Sequence, residues 1–225
     1  ALEINPKYAL ANNNCGNAYY AKGQHDKAIS YYNKSIELDP KDVDAYFKRG
    51  AAYGSKGQYD RAVFDFTKAL EINPMLSEAY EKRGMLYFFQ ERYADTIRDF
   101  QKVIELRPIE PEGYMMLGMA YIKEGDHDKA IDNLTYAIEL DPNLASAYVY
   151  RAEAYRLKGE TDKAIQDSTK AIELGGSEQT IGKAYTTRSK AYRELGQIEL
   201  AEKDFKRALR LDPEYYRYTY ASATE

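Results

Sequence analysis

Residues Val43–Leu76 read VDAYFKRGAAYGSKGQYDRAVFDFTKALEINPML, and these 34 residues decide the fold. Ala45, Tyr46, Gly50 and Tyr53 follow helical spacing up to SKGQYD. Gly57 marks a turn. A second helical stretch, RAVFDFTKALEI, then runs into Asn73-Pro74. Proline lacks the amide donor a helix interior needs, so the Asn-Pro step closes the second helix and opens whatever follows.

The same unit recurs along the chain. Tyr19, Tyr53, Tyr87, Tyr121 and Tyr155 stand 34 apart, and Tyr192 follows 37 later. Pro6, Pro40, Pro74, Pro108 and Pro142 keep the same step, with Pro213 displaced by the same three extra residues. A fixed period of this length signals stacked repeats, each unable to bury its apolar face alone. Pro111, out of phase, falls at the start of a first helix, where its missing N–H costs nothing. The spacing places six repeats at about 9–42, 43–76, 77–110, 111–144, 145–178 and 182–215, in a single all-α domain spanning 1–225. ALEINP at 1–6 repeats Ala69–Pro74, so residues 1–8 read as the end of a preceding repeat. Residues 216–225 read as the start of a further helix or a cap.

Composition narrows the function. The 225 residues carry a net charge of −4 with 30% charged and 44% hydrophobic residues, a soluble balance that lacks the basic footprint of a nucleic-acid binder. No apolar run approaches the ~18–20 residues of a membrane span. The lone Cys15 excludes an internal disulfide, and its position suggests a small packed hydrophobe. His127 lies between Asp126 and Asp128, but no second histidine sits at ligand spacing, and aspartate in a turn is a common helix cap. No phosphate loop, nucleophile elbow or acid/base pair is present, so neither catalysis nor a cofactor or metal is expected. The compartment is not legible.

The pattern resembles the tetratricopeptide repeat family over nearly the whole chain. The signature aromatic falls on Tyr46, Tyr80, Tyr114, Tyr148 and Tyr185, with Asn12 departing. The small position holds Gly16, Gly50, Gly84, Gly118, Ala152 and Ser189. The second-helix Ala reads Ala28, Ala62, Thr96, Ala130, Ala164 and Ala201, and the aromatic after it Tyr32, Phe66, Phe100, Leu134, Ser168 and Phe205. The resemblance implies a right-handed superhelical solenoid of antiparallel helix pairs, with the first helices lining a concave groove. It also accounts for most of the 23 tyrosines as core.

Four repeats carry Arg where the family usually has Leu: Arg49, Arg83, Arg151 and Arg188. Sixteen residues on, the same four carry Asp65, Asp99, Asp167 and Asp204, whereas the repeats with Cys15 and Leu117 carry Tyr31 and Asn133. This tracking predicts ion pairs inside each repeat rather than a row of ligand-binding arginines. In the insertion LGGSEQTIG, Gly175 is expected to cap the preceding helix in a left-handed conformation and Ser177 to cap the next. A tolerated loop insertion is the simpler reading of it, a hinge the other.

By the resemblance, the groove is lined by Asn14, Asn17, Phe47, Lys48, Glu81, Lys82, Met85, Phe88, Phe89, Met115, Met116, Met119, Ile122, Tyr150, Glu153 and Arg156, together with Asn13 and Val149. The sixth repeat adds Lys183, Lys190, Arg193 and Glu194. Four of the five methionines lie on this face, a second apolar stripe beside an occupied core. The expected partner is a peptide or helix of another protein, with no nucleic acid and no membrane insertion. The Tyr-rich tail around Tyr215, Tyr216, Tyr218 and Tyr220 offers a route to self-association by filling a neighbour's groove. A chaperone-type carboxylate clamp is not expected, because Glu78 has the wrong sign for it. The alternative to a scaffold is a regulatory or substrate-selecting arm of a larger enzyme. Phe88 and Phe89 have a second reading as fillers between adjacent first helices.

Overall fold

The computed structural model describes residues 6–211, which form twelve α-helices and, among those residues, no strand. Their packing groups them into two compact units that divide between Pro108 and Ile109. The first unit holds α1 (Pro6–Ala21), α2 (His25–Leu38), α3 (Val43–Ser55), α4 (Tyr59–Ile72), α5 (Ser77–Phe89) and α6 (Tyr93–Leu106). The second holds α7 (Pro111–Glu124), α8 (His127–Leu140), α9 (Ala145–Leu157), α10 (Thr161–Leu174), α11 (Glu178–Glu194) and α12 (Ile198–Leu211). The tail tyrosines 215–220 and the opening ALEIN lie outside the described residues.

Local chemistry sets the helix ends. Asp39, Asn73, Arg107 and Asp141 each precede a proline and leave the helical region, with φ near −130° to −137° and positive ψ, because the following ring excludes the helical conformation. Where Gly175 replaces that Asp-Pro stop, φ is +78° but ψ is −153°. The residue is therefore not in the left-handed helical conformation expected of it, and it leads through Gly176 to an extended Ser177. The Ser177 Oγ accepts from the Thr180 amide at 3.2 Å and opens α11. Asp126 caps α8 through the Lys129 amide, and Pro111 occupies the first turn of α7.

Each helix pair packs around one close approach. A Cβ added at Gly118 would lie 2.4 Å from Leu134 Cγ, and one at Gly16 2.5 Å from the Tyr32 ring, so the missing side chain is the space the second-helix residue fills. In the fifth repeat the sizes are exchanged: Ala152 faces a repeat whose second-helix position is only Ser168. Ala28, Ala62, Ala130, Ala164 and Ala201 are completely buried, as is Thr96, whose hydroxyl donates to the carbonyl of Arg92, the residue just before its helix. Cores also run from repeat to repeat inside each unit. Ala62, Phe66 and Leu70 of α4 meet Ala79 of α5, and Ala130, Leu134 and Ala137 of α8 meet Ala147 and Ala154 of α9.

Cys15 departs from its expected packing role and is exposed. It holds on α1 the register of Arg49 on α3. The neighbouring Ala11 and Ala18 are exposed with it, whereas the equivalent Ala45 and Ala52 are fully buried against the preceding repeat.

Candidate functional site

The first helices carry two kinds of functional side chain. The arginines come first. Arg49 grips Asp65 with two parallel bonds, Nε to Oδ2 at 2.8 Å and Nη2 to Oδ1 at 2.7 Å. Arg83 and Asp99, Arg151 and Asp167, and Arg188 and Asp204 repeat the same fork, all between 2.6 and 3.0 Å. The carboxylates are buried, and the arginine side chains keep only 11–16% of their surface. Tyrosines one turn either side sandwich the guanidinium: Arg151 lies 5.5 Å from the Tyr148 ring and 5.9 Å from Tyr155. These arginines are engaged inside the repeats, so they present no open ladder to a ligand.

A third contact was not anticipated from the sequence. The remaining Nη1 of each arginine reaches the second helix of the preceding repeat. It donates to Asn33 Oδ1 from Arg49 (2.7 Å) and to Thr67 Oγ1 from Arg83 (2.9 Å). Arg151 reaches Thr135 Oγ1 (3.1 Å) and Arg188 reaches Thr169 Oγ1 (2.8 Å). The signal was present: a short polar residue stands sixteen positions before each arginine, or nineteen across the insertion, while Gln101 precedes Leu117.

In the first unit, Asn13 is withdrawn from the first-helix face. It is 2% exposed and donates to Asp44 at 3.0 Å and Asp42 at 3.2 Å. Asn17 accepts from the Tyr32 hydroxyl at 2.9 Å, and Asn14 is exposed. Phe47 turns into the core against Phe66, with ring centres 5.5 Å apart, and the Lys48 ammonium lies 5.9 Å from its ring centre. Glu81 accepts from Arg107 at 2.7 Å. Lys82, Met85 and Phe89 recur along one face of α5 at i, i+3 and i+7. Phe89 keeps 68% of its surface, Lys82 is exposed and Met85 is half-buried. Phe88 points away to meet Tyr93 edge-on at 5.6 Å.

In the second unit, Met116 and Met119 are half-buried on α7. Met115 and Ile122 lean on the buried cluster of α8 and α9, and the Met115 sulfur accepts from Ser146 Oγ. Val149 is buried at 3%. Between α9 and α11 runs a polar seam: Lys183 Nζ donates to Tyr150 Oη (3.3 Å), Thr187 Oγ1 to Glu153 (3.4 Å), and Arg156 Nη1 to Glu194 (2.7 Å). Arg156 also forks onto Glu153 at 2.8 and 3.0 Å. Burial pushes the Glu153 carboxyl up. The hydrogen bonds and charge of Arg156, with help from Lys190 and Thr187, more than offset this and hold it below the usual carboxylate range.

Among the described residues no group of three His, Cys, Asp or Glu side chains is placed to hold a metal, and no helix is long and apolar enough to cross a membrane. Helix pairs on a 34-residue period, with side chains left over on their first helices, define an α-helical repeat scaffold of the protein-interaction class. Tetratricopeptide-repeat models match residues 43–76 and 111–144, 77–110 and 182–215, and 134–166, and a TPR-repeat model matches 16–57. The chain belongs to the tetratricopeptide repeat family. No curated protein sequence matches it significantly. Among solved structures, a crystal structure of MamA is 29% identical, covers 75% of this chain and 92% of its own, and superposes with a TM-score of 0.72. PilF of Pseudomonas aeruginosa is 18% identical over 97% of this chain and 98% of its own, with a TM-score of 0.73. YrrB, a TPR protein with an unusual peptide-binding site, is 22% identical over 85% of this chain and 97% of its own, at 0.65. The last two likenesses are of fold alone.

Proposed function

We propose that the protein is a binding scaffold that takes a peptide or helix of a partner protein along its first helices, and that it acts by binding rather than catalysis. The observation that carries this reading is Phe89. A phenylalanine 68% exposed on α5, in register with Met85 and flanked by charged Lys82, is apolar surface with no role in the repeat's own core. Removing such surface from water stabilises a complex by ~25 cal/mol per Å². In the second unit, Met116 and Met119 on α7 offer the same soft, adaptable chemistry. A carboxylate clamp fits poorly. Of its positions, Asn13 is spent on Asp42 and Asp44, and Glu78 repels the ligand.

Panning a phage-displayed random 16-residue peptide library against the full chain tests the proposal. Enriched peptides should carry apolar residues at helical spacing. Their binding should be lost in Phe89→Glu combined with Met85→Glu, with helicity and thermal stability unchanged. Enrichment of peptides that bind this double variant equally well would move the site elsewhere, and failure to enrich any peptide would overturn the reading.

A further inference from the structure

We propose that α9 and α11 form a docking face for an acidic peptide segment, with Lys183 and Lys190 taking its carboxylates. This rests on the reading that the first helices are the binding face, and gives one part of that face its partner chemistry.

Lys183, Thr187, Lys190 and Glu194 fall at i, i+4, i+7 and i+11 on α11, and so share one side of the helix. Tyr150, Glu153 and Arg156 face them from α9 across the polar seam. Inside the seam most charges are already answered. Arg156 is held by Glu153 and Glu194, and Glu153 also accepts from Thr187.

Lys183 is the exception. Lys183 is half-buried as a residue, and among the described residues its ammonium has only a phenol as hydrogen-bond partner, 5.5 Å from the centre of the same ring. An ammonium with no carboxylate partner among the described residues is open to one supplied by a ligand. Because Lys183 donates to Tyr150 Oη, the phenol keeps its own proton free to donate. Exposed Lys190 sits two turns further along the same side, close enough for its charge to act on Glu153. A carboxylate entering beside Lys183 meets its ammonium and the Tyr150 O–H, and a second acidic side chain two turns along meets Lys190.

The wider field points the same way. Residues 178–211 hold eight basic and five acidic side chains, a net +3 within a chain of net −4. An acidic segment is drawn to this repeat and repelled by the rest of the protein, which favours encounter at one place.

The test uses the full chain and fluorescein-labelled hexaglutamate, followed by fluorescence anisotropy at low salt. Saturable binding is expected that weakens as salt rises, with none for labelled hexaglutamine. Lys183→Glu with Lys190→Glu should weaken binding about tenfold, the combined effect of two modest charge reversals. Lys203→Glu with Lys206→Glu, which changes the net charge equally on α12, should change it less than about twofold by the same measure. The Gln substitutions at 183 and 190 serve if the Glu variants melt early. The proposal is overturned if both pairs weaken binding alike, if hexaglutamate does not bind, or if a hexathymidylate oligonucleotide binds more tightly than hexaglutamate. Apolar library peptides that bind while hexaglutamate does not would overturn this docking face and leave the proposed function standing.

Discussion

Arg83 Nη1 donates to Thr67 Oγ1 across 2.9 Å, from the first helix of one repeat to the second helix of the repeat before it. The other edge of the same guanidinium forks onto Asp99. One side chain thus closes its own helix pair and fastens it to its neighbour. In repeat proteins, where stability is close to a sum of repeat and nearest-neighbour terms, such a residue contributes to both.

The fork should be costly to break from one side. Asp99→Ala leaves the Arg83 side chain, only 15% exposed, without its carboxylate, and is expected to lose about 3–5 kcal/mol. Replacing both partners, Arg83→Leu with Asp99→Leu, should lose much less, because no charge remains buried. Urea unfolding of Arg83→Leu, Asp99→Leu and the double measures the coupling. A loss under about 1 kcal/mol for Asp99→Ala would class the pair with exposed salt bridges.

Glu91 is in the wrong conformation for its type. It holds φ +59° at the turn position occupied one repeat later by Gly125 and one repeat earlier by Gly57. A non-glycine residue there costs about 1–2 kcal/mol, part of which glycine returns through its greater freedom when unfolded. Glu91→Gly is therefore expected to stabilise the protein by about 0.5–1 kcal/mol, read as a higher calorimetric midpoint. A lower midpoint would show that the Glu91 side chain makes up for its backbone.

Two helical glycines should respond oppositely to alanine. At Gly118 the new Cβ meets Leu134 at 2.4 Å, and overpacking of this kind costs about 1–3 kcal/mol. At Gly54 the nearest atom is Ala62 Cβ at 4.0 Å, so the substitution should stabilise by up to about 1 kcal/mol through helix propensity. Chemical denaturation of both variants side by side checks the sign.

Glu153 gives a pH dependence of definite sign. Its carboxyl titrates lower in the folded protein than in the unfolded chain, where it is near 4.3. Its contribution is fully present above about pH 4.3 and is lost as pH falls through the lower folded-state value. Glu153→Gln should flatten that acid limb while lowering stability at pH 7. Urea midpoints between pH 7 and 3 measure both, and an unchanged acid slope would remove Glu153 from the account.

The sequence by itself determined what is local and periodic. Asp-Pro and Asn-Pro steps end the second helices because proline forbids the residue before it a helical conformation, and that rule acts between chain neighbours. The 34-residue period placed the small Gly118 opposite Leu134, and Arg49 opposite Asp65, because a short turn between two helices fixes which residues face each other. Tertiary structure decided whatever depends on the next helix pair. The third partner of each arginine, the turn of Phe47 into the core and the withdrawal of Asn13 onto Asp42 and Asp44 all come from packing between repeats. A repeat motif describes one unit at a time. Which of its side chains remain open to a partner is set by the competition between neighbouring units for the same surface.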